Sequence, residues 1–168
     1  YVRLNPTHLV PTLVDGDITL NQSLAIIEYL EEAYQGISIF PEKLELKMQA
    51  KAMAYDIACE IHPVNNLRVQ QYLVKELGAS DEAKLSWSHH WMANGFAALE
   101  AKLVKSSGKF SIGDDISIAD ICLVPQVYNA NRFKLDMSPY PNINRIVHNC
   151  NKESAFVKAL PENQPDAI

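Results

Sequence analysis

Runs of basic residues are absent from this chain. Its 15 lysines and arginines are scattered among 20 aspartates and glutamates, for a net charge of −5, so neither nucleic acid nor an anionic membrane surface is an expected partner. Long hydrophobic runs are missing too. The stretch from Ile116 to Val127 is broken by Ser117, Asp120 and Pro125 and falls short of the roughly 20 residues that cross a bilayer. The opening Tyr1-Val2-Arg3-Leu4-Asn5-Pro6 lacks the apolar core of a secretory leader. Cysteine is sparse. Cys59, Cys122 and Cys150 make an odd count with no close pair, which speaks against a disulfide framework and for a reducing, cytoplasmic setting. Metal-ligand spacing is absent as well: Cys59 and His62 stand three apart and His89-His90 are adjacent, with nothing further at a useful interval, so no metal is expected.

What is present is an ordinary globular composition, 48% hydrophobic and 21% charged over 168 residues, enough for one good core or a small piece plus one domain. Near the start, Pro11-Thr12-Leu13-Val14 and Ile18-Thr19-Leu20 flank an Asp15-Gly16 turn, and Gln22-Ser23 opens a helix predicted to run to Tyr34. Its apolar face is Leu24, Ile27 and Leu30, with Glu28, Glu31 and Glu32 on the wet side. Pro11 cannot donate to a ladder, so the backbone beside it is left for another partner, and an X-Pro bond is where a cis peptide is least costly. A helix N-terminus bearing a hydroxyl and unpaired N–H groups attracts carboxylates. Strand, turn, strand and helix start therefore make either a cradle suited to a small anionic peptide or an ordinary hairpin docked on a helix. One hairpin and one helix cannot enclose a core, so this segment should rest on strands and a helix outside the chain or on the helical part beyond it.

Gly36 stops the first helix, and 37–43 reads as a linker. From Glu42 onward only helices are expected. One long helix is predicted from Leu44 to Leu77, with Met48, Ala52, Tyr55 and Cys59 as its core-facing stripe. A second runs from Asp81 to Lys105 with Met92, Phe96, Leu99 and Leu103 inward, and a third from Ser117 to Asn131. Short helices follow at Ile143 to Cys150 and Glu153 to Leu160, and the tail after Pro161 is expected to be disordered.

Three runs carry chemistry. Ser117-Ile118-Ala119-Asp120 is a capping box, flanked by Ile116 and Ile121 as a hydrophobic staple, and both polar residues are occupied in satisfying a helix end rather than in catalysis. His62-Pro63-Val64-Asn65-Asn66-Leu67-Arg68 stands inside the predicted long helix, yet Pro63 removes the bond to the Cys59 carbonyl and must kink it. A locally inconsistent run of this kind marks either a site or a mere bend. His62, Asn66 and Arg68 offer a neutral donor, an amide and a fixed cation within one and a half turns. Arg132, near the end of the third helix, can complement the helix C-terminus or hold a carboxylate bidentately, and spacing alone leaves that open.

Taken together, Pro11-Thr12-Leu13, Gln22 through Glu32, His62 through Arg68, Ala119 through Val127, Asn129-Ala130-Asn131-Arg132-Phe133 and Ser138-Pro139-Tyr140-Pro141 resemble the zeta class of glutathione transferases, the maleylacetoacetate and maleylpyruvate isomerase family. The Gly113 to Asp120 context also resembles the folding motif of that family's helical domain. The resemblance implies an α+β, predominantly α chain: residues 1–36 as the C-terminal part of a thioredoxin-like glutathione-binding domain, 37–43 as a linker and 44–168 as the all-helical domain. It implies glutathione as coenzyme, with a cis Val10-Pro11 peptide whose backbone meets the cysteinyl part, Gln22-Ser23 gripping the γ-glutamyl end, and His62 and Asn66 close to the tripeptide. Arg68 and Arg132 would bind or polarise a dicarboxylate substrate. It also implies a homodimer.

The implied reaction is cis–trans isomerisation of maleylacetoacetate to fumarylacetoacetate, with glutathione returned unchanged. In the family a strand-helix-strand-helix stretch of about forty residues, slightly more than one βαβ unit, precedes the position of Asn5-Pro6 and carries the Ser that activates the thiol. That stretch is expected to lie outside this chain, so the activating Ser has no counterpart here. Alternatives are general conjugation, dehalogenation of α-halo acids, or a non-catalytic transferase-like module or inactive fragment.

Overall fold

A computed structural model describes residues 1–36, 38–165 and 167. The chain divides into two compact units, Tyr1–Ile39 and Phe40–Ile168. Ile37, in the predicted linker, lies outside the described residues.

In the first unit the alternating apolar runs form the predicted hairpin. Strand β1 (Thr12–Asp15) pairs antiparallel with β2 (Ile18–Asn21), Thr12 opposite Asn21 and Asp15 opposite Ile18. The two residues between them turn through Gly16 at φ +57°, a conformation glycine adopts without a steric penalty. Helix α1 (Ser23–Ala33) follows. The Asp15 carboxylate at the hairpin tip accepts hydrogen bonds from Tyr29, at 2.9 Å, and from Tyr34. Those phenols hold the carboxyl below its usual range, and the same bonds push both phenols up.

The second unit is helical: α2 (Leu44–Tyr55), α3 (Leu67–Lys75), α4 (Asp81–Ser106), α5 (Ile118–Arg132), α6 (Pro141–Cys150) and α7 (Ser154–Ala159). The expected α4 stripe is inside: Met92, Phe96, Leu99 and Leu103 are all buried, as are Ile118, Leu123 and Val127 of α5 and Ile143 and Ile146 of α6. Cys122 and Cys150 join these packed layers, and burial pushes their thiols up to about 11 and about 12, so both stand as neutral apolar groups rather than nucleophiles.

Two expectations for the 44–77 stretch are overturned. It is not one kinked helix. After α2 the chain takes a π-helical turn, Asp56–Ile61, closed by the His62 N–H on the Ile57 carbonyl at 2.8 Å, then a 3-10 turn, Pro63–Asn65, before α3 begins. The core stripe is also the other one. Met48, Ala52, Tyr55 and Cys59 are exposed, whereas Ala50, Met53, Ala54, Ile57 and Ile61 are buried. Both sets repeat at helical spacing, two residues out of phase, so this helix is apolar on opposite sides and periodicity could not choose between them.

Gly95 shows how closely the π turn is held. A Cβ at this position of α4 would overlap the Cγ1 and Cδ1 atoms of Ile61, itself buried. Gly95→Ala is therefore expected to destabilise by about 1–3 kcal/mol despite its higher helix propensity. Urea denaturation reads this out, and a variant more stable than the parent would contradict the close approach.

The capping box forms as expected, with Ser117 as the N-cap of α5 and Asp120 at N3. The tail is not the disordered segment expected. Pro161–Asn163 makes a 3-10 turn, and Tyr128 donates to Glu162 at 2.6 Å, Asn163 Nδ2 to the Val157 carbonyl at 2.6 Å, and Gln164 Nε2 to the Lys158 carbonyl at 2.8 Å. Local side-chain bonds of this sort leave no periodic trace. Asp166 and Ile168 lie outside the described residues.

Candidate glutathione and dicarboxylate site

The predicted site residues fall into two groups, one in each unit. In the first, the Val10–Pro11 peptide is cis, and Val10 is 83% exposed. Its main-chain N–H and C=O make no hydrogen bond with the described residues, so the strand edge at this point is open for pairing. Gln22 is the N-cap of α1 at φ 71° and ψ 116°, with no side-chain cap and no acidic residue in the first turn. A non-glycine residue at that φ costs of order 1–3 kcal/mol and persists only where its surroundings impose it. Ser23, the first helical residue, is exposed. The amides of this first turn are thus free to meet an anion.

Asn5 ties the two parts of this cradle together. It is buried, its Nδ2 donates to the Leu9 carbonyl at 2.6 Å, and its Oδ1 accepts from Thr7 Oγ1 at 2.8 Å and from Asn21 Nδ2 at 3.1 Å. Leu9 precedes Val10 and Asn21 precedes Gln22, so one buried amide sets the position of both gripping pairs. Sequence reasoning missed Asn5. An Asn before Pro reads as loop punctuation, and its partners lie up to 16 residues away.

In the second unit, His62 ends the π turn, Asn66 is the N-cap of α3 and Arg68 stands in its first turn, so all three flank the break. His62 is exposed. Asn66, extended at ψ 148°, caps α3 by accepting the Arg68 N–H on Oδ1 at 3.2 Å, which leaves its amide N–H₂ available. Arg68 is exposed. The break is satisfied from within. Asn65 Nδ2 donates to the Ile61 carbonyl at 2.9 Å, Gln70 Nε2 to the Asn65 carbonyl at 2.8 Å, and Trp87 Nε1 to the Val64 carbonyl at 2.8 Å. The two neighbouring asparagines therefore differ. Asn65 is buried and structural, and Asn66 is half-buried at the rim.

Arg132 ends α5 and is exposed. One turn earlier, Tyr128 donates to Glu162, and that bond pushes its phenol up. Neither Arg68 nor Arg132 has a carboxylate partner among the described residues. No cluster of three possible metal ligands occurs among them either.

Residues 1–33 match the glutathione S-transferase N-terminal domain and residues 50–153 the glutathione S-transferase C-terminal domain. The chain is 53% identical over 165 residues to the "Probable maleylacetoacetate isomerase" of Vibrio cholerae, covering 98% of this chain and 77% of that protein. It belongs to the zeta class of glutathione transferases, the maleylacetoacetate and maleylpyruvate isomerase family. The holo structure of a bacterial maleylpyruvate isomerase of the zeta class superimposes with a TM-score of 0.96 at 41% identity, covering 99% of this chain and 80% of that one. A maleylacetoacetate isomerase from Methylobacterium extorquens AM1, solved with malonate and glutathione bound, gives 0.95 at 34% identity, covering 99% and 79%. The fold expectation, a partial thioredoxin-like segment followed by the all-helical transferase domain, agrees with these likenesses.

Proposed function

We propose that this zeta-class chain serves the glutathione-dependent cis–trans isomerisation of maleylacetoacetate or maleylpyruvate. The observation that carries the reading is the pair of exposed guanidiniums, Arg68 and Arg132, left without an acidic partner in a chain with 20 carboxylate side chains to 15 basic ones. A dicarboxylate suits them, and a Methylobacterium relative was solved with the dicarboxylate malonate bound.

The first unit suits glutathione. Its donors are an unpaired strand edge at Val10 and an uncapped helix start at Gln22-Ser23, the chemistry a γ-glutamyl tripeptide requires. Glutathione, when bound, supplies the nucleophilic thiolate. The backbone at Val10 holds the tripeptide in extended form, and the α1 amides with Ser23 receive the carboxylate of its γ-glutamyl end. In the second unit, the His62 ring and the Asn66 amide N–H₂ are available to a ligand. Arg68 and Arg132 bind the substrate carboxylate and stabilise negative charge gathering on the conjugated carbonyl oxygen. Residues 1–36 then act as the glutathione-binding part, 37–43 as the linker and 44–168 as the substrate-binding part. A homodimer in the reducing cytoplasm completes the reading, supported by the exposed Leu44, Met48 and Tyr55 of α2 and by the free thiols of Cys59, Cys122 and Cys150.

Product analysis tests it. With a cis dicarboxylate and glutathione, the trans isomer is expected with no glutathione consumed. Accumulation of a thioether instead, or halide released from an α-halo acid as the sole activity, would replace isomerisation with conjugation or dehalogenation.

A further inference from the structure

The two arginine-bearing segments are fastened to the same turn of α4. Trp87 donates its indole N–H to the Val64 carbonyl at 2.8 Å. This carbonyl has no helical partner, because the Arg68 N–H that would meet it in an unbroken helix goes to Asn66 Oδ1. Two residues along, His89 Nε2 lies 2.7 Å from the Phe133 carbonyl. A carbonyl can only accept, so this nitrogen carries the proton.

The Phe133 carbonyl belongs to a helix cap. α5 closes with the Leu135 N–H on the Ala130 carbonyl at 3.0 Å and the Lys134 N–H on the Asn131 carbonyl at 3.0 Å. Lys134 stands at φ +54°, the Schellman arrangement with lysine in the place glycine usually takes. A non-glycine residue in that conformation needs support from outside the helix. His89 supplies it, one residue beyond Arg132.

We propose that Trp87 and His89 are positioning residues for the dicarboxylate clamp. Two residues of helix rise is about 3 Å, so a single rigid turn sets the level of Val64, four residues before Arg68, and of Phe133, next to Arg132. The inference rests on the reading of those two arginines as carboxylate ligands. It assigns a role to side chains that touch neither ligand.

The decisive measurement is a double-mutant cycle in the full-length enzyme, reading the Michaelis constants for dicarboxylate and glutathione separately. His89→Phe keeps a ring of similar size but loses the donor. It is expected to raise the dicarboxylate constant about tenfold, on the scale of small misplacements of binding groups, and the glutathione constant less than about twofold. His89→Gln retains an N–H at the same reach and is expected to restore most of the loss. Trp87→Phe, which removes only the indole donor, is expected to give a smaller rise of the same selectivity. In an Arg132→Ala background, His89→Phe is expected to add less than about twofold, since coupled positions are not additive. A His89→Phe variant that raises both constants together, a His89→Gln variant no better than His89→Phe, or a full His89 effect persisting without Arg132 would each overturn the proposal. Arg132→Ala with no effect on the dicarboxylate would remove the clamp reading and this inference together. A strong Arg132→Ala effect beside a silent His89→Phe would remove this inference alone.

Discussion

Replacing Asp120 by Ala is expected to cost about 3–5 kcal/mol of folding free energy, because it leaves several buried donors without their acceptor. Asp120 has no exposed surface. Its Oδ2 accepts the Ser117 N–H at 2.9 Å and the Ser117 hydroxyl at 3.0 Å, and its Oδ1 accepts the Ser111 N–H at 2.8 Å. Ser111 and Ser117 are each 1% exposed, so water cannot replace the carboxylate. Two main-chain donors would be left buried and unpaired, at about 1–3 kcal/mol apiece.

The carboxylate does more than cap α5. Through Ser111 it also anchors the loop between α4 and α5, where Ser107 bridges Gly113, Ile112 bridges Asp115, and Lys109 N donates to Asp114 at 2.7 Å. Asp120→Asn keeps one acceptor but turns an N–H₂ toward an N–H, so it should recover only a minor part of the loss. For a chain of this size each kcal/mol moves the melting temperature by about 2–4 °C, giving an expected fall of about 10 °C, followed by circular dichroism. Turnover measured well below the transition should stay within about twofold of the parent. Loss of turnover with an unchanged melting temperature would instead make Asp120 a participant in the chemistry.

The capping box was legible because Ser, Asp and the flanking isoleucines sit within six residues of one another, and local rules decide such motifs. The hairpin was legible for the same reason, since alternation and a glycine turn are short-range signals. The α4 stripe was legible because Met92, Phe96, Leu99 and Leu103 keep one face apolar over about three turns. The 44–77 stretch failed on the complementary ground. Its two apolar faces carry the same period, and only the tertiary partners of Ile57 and Ile61 select one of them. Pro63 announced a break, but whether the chain would answer with a kink or with a π turn and a 3-10 turn depended on carbonyl acceptors met by Trp87 and Gln70, 23 and 5 residues away. The candidate site follows the same division. Val10, Pro11, Gln22, Ser23, His62, Asn66, Arg68 and Arg132 stand out through local oddity and through the family likeness. Trp87 and His89 act through long-range bonds to main-chain carbonyls and Asn5 through a long-range bond with the Asn21 side chain, and nothing in their immediate sequence marks them.

Arg132→Ala is expected to lower kcat/KM for the dicarboxylate by about 10²–10³, the loss typical of removing one group that stabilises developing oxyanion charge. Three features make this residue the sharper probe of the two arginines. Its guanidinium has no carboxylate partner among the described residues, so its removal strands no internal charge. It lies at the end of α5, where a cation also complements the helix dipole, but that contribution to stability is worth only about 0.3–1 kcal/mol and cannot account for a large kinetic effect. The His89 bond and the Lys134 turn are main-chain features that survive truncation of the side chain, so the cap should persist. Arg132→Lys retains the charge but loses the planar fork, and where recognition is bidentate it should recover only part of the activity. Raising salt should weaken the parent more than Arg132→Ala, because the screened attraction is the one removed. The Michaelis constant for glutathione should stay within about twofold throughout, since the proposed function assigns the tripeptide to Val10 and the start of α1. Malonate binding followed by calorimetry gives a check that needs no turnover. The parent should bind and Arg132→Ala should not, whereas equal loss of malonate and glutathione binding would mean that Arg132 supports the shape of the site rather than gripping the substrate.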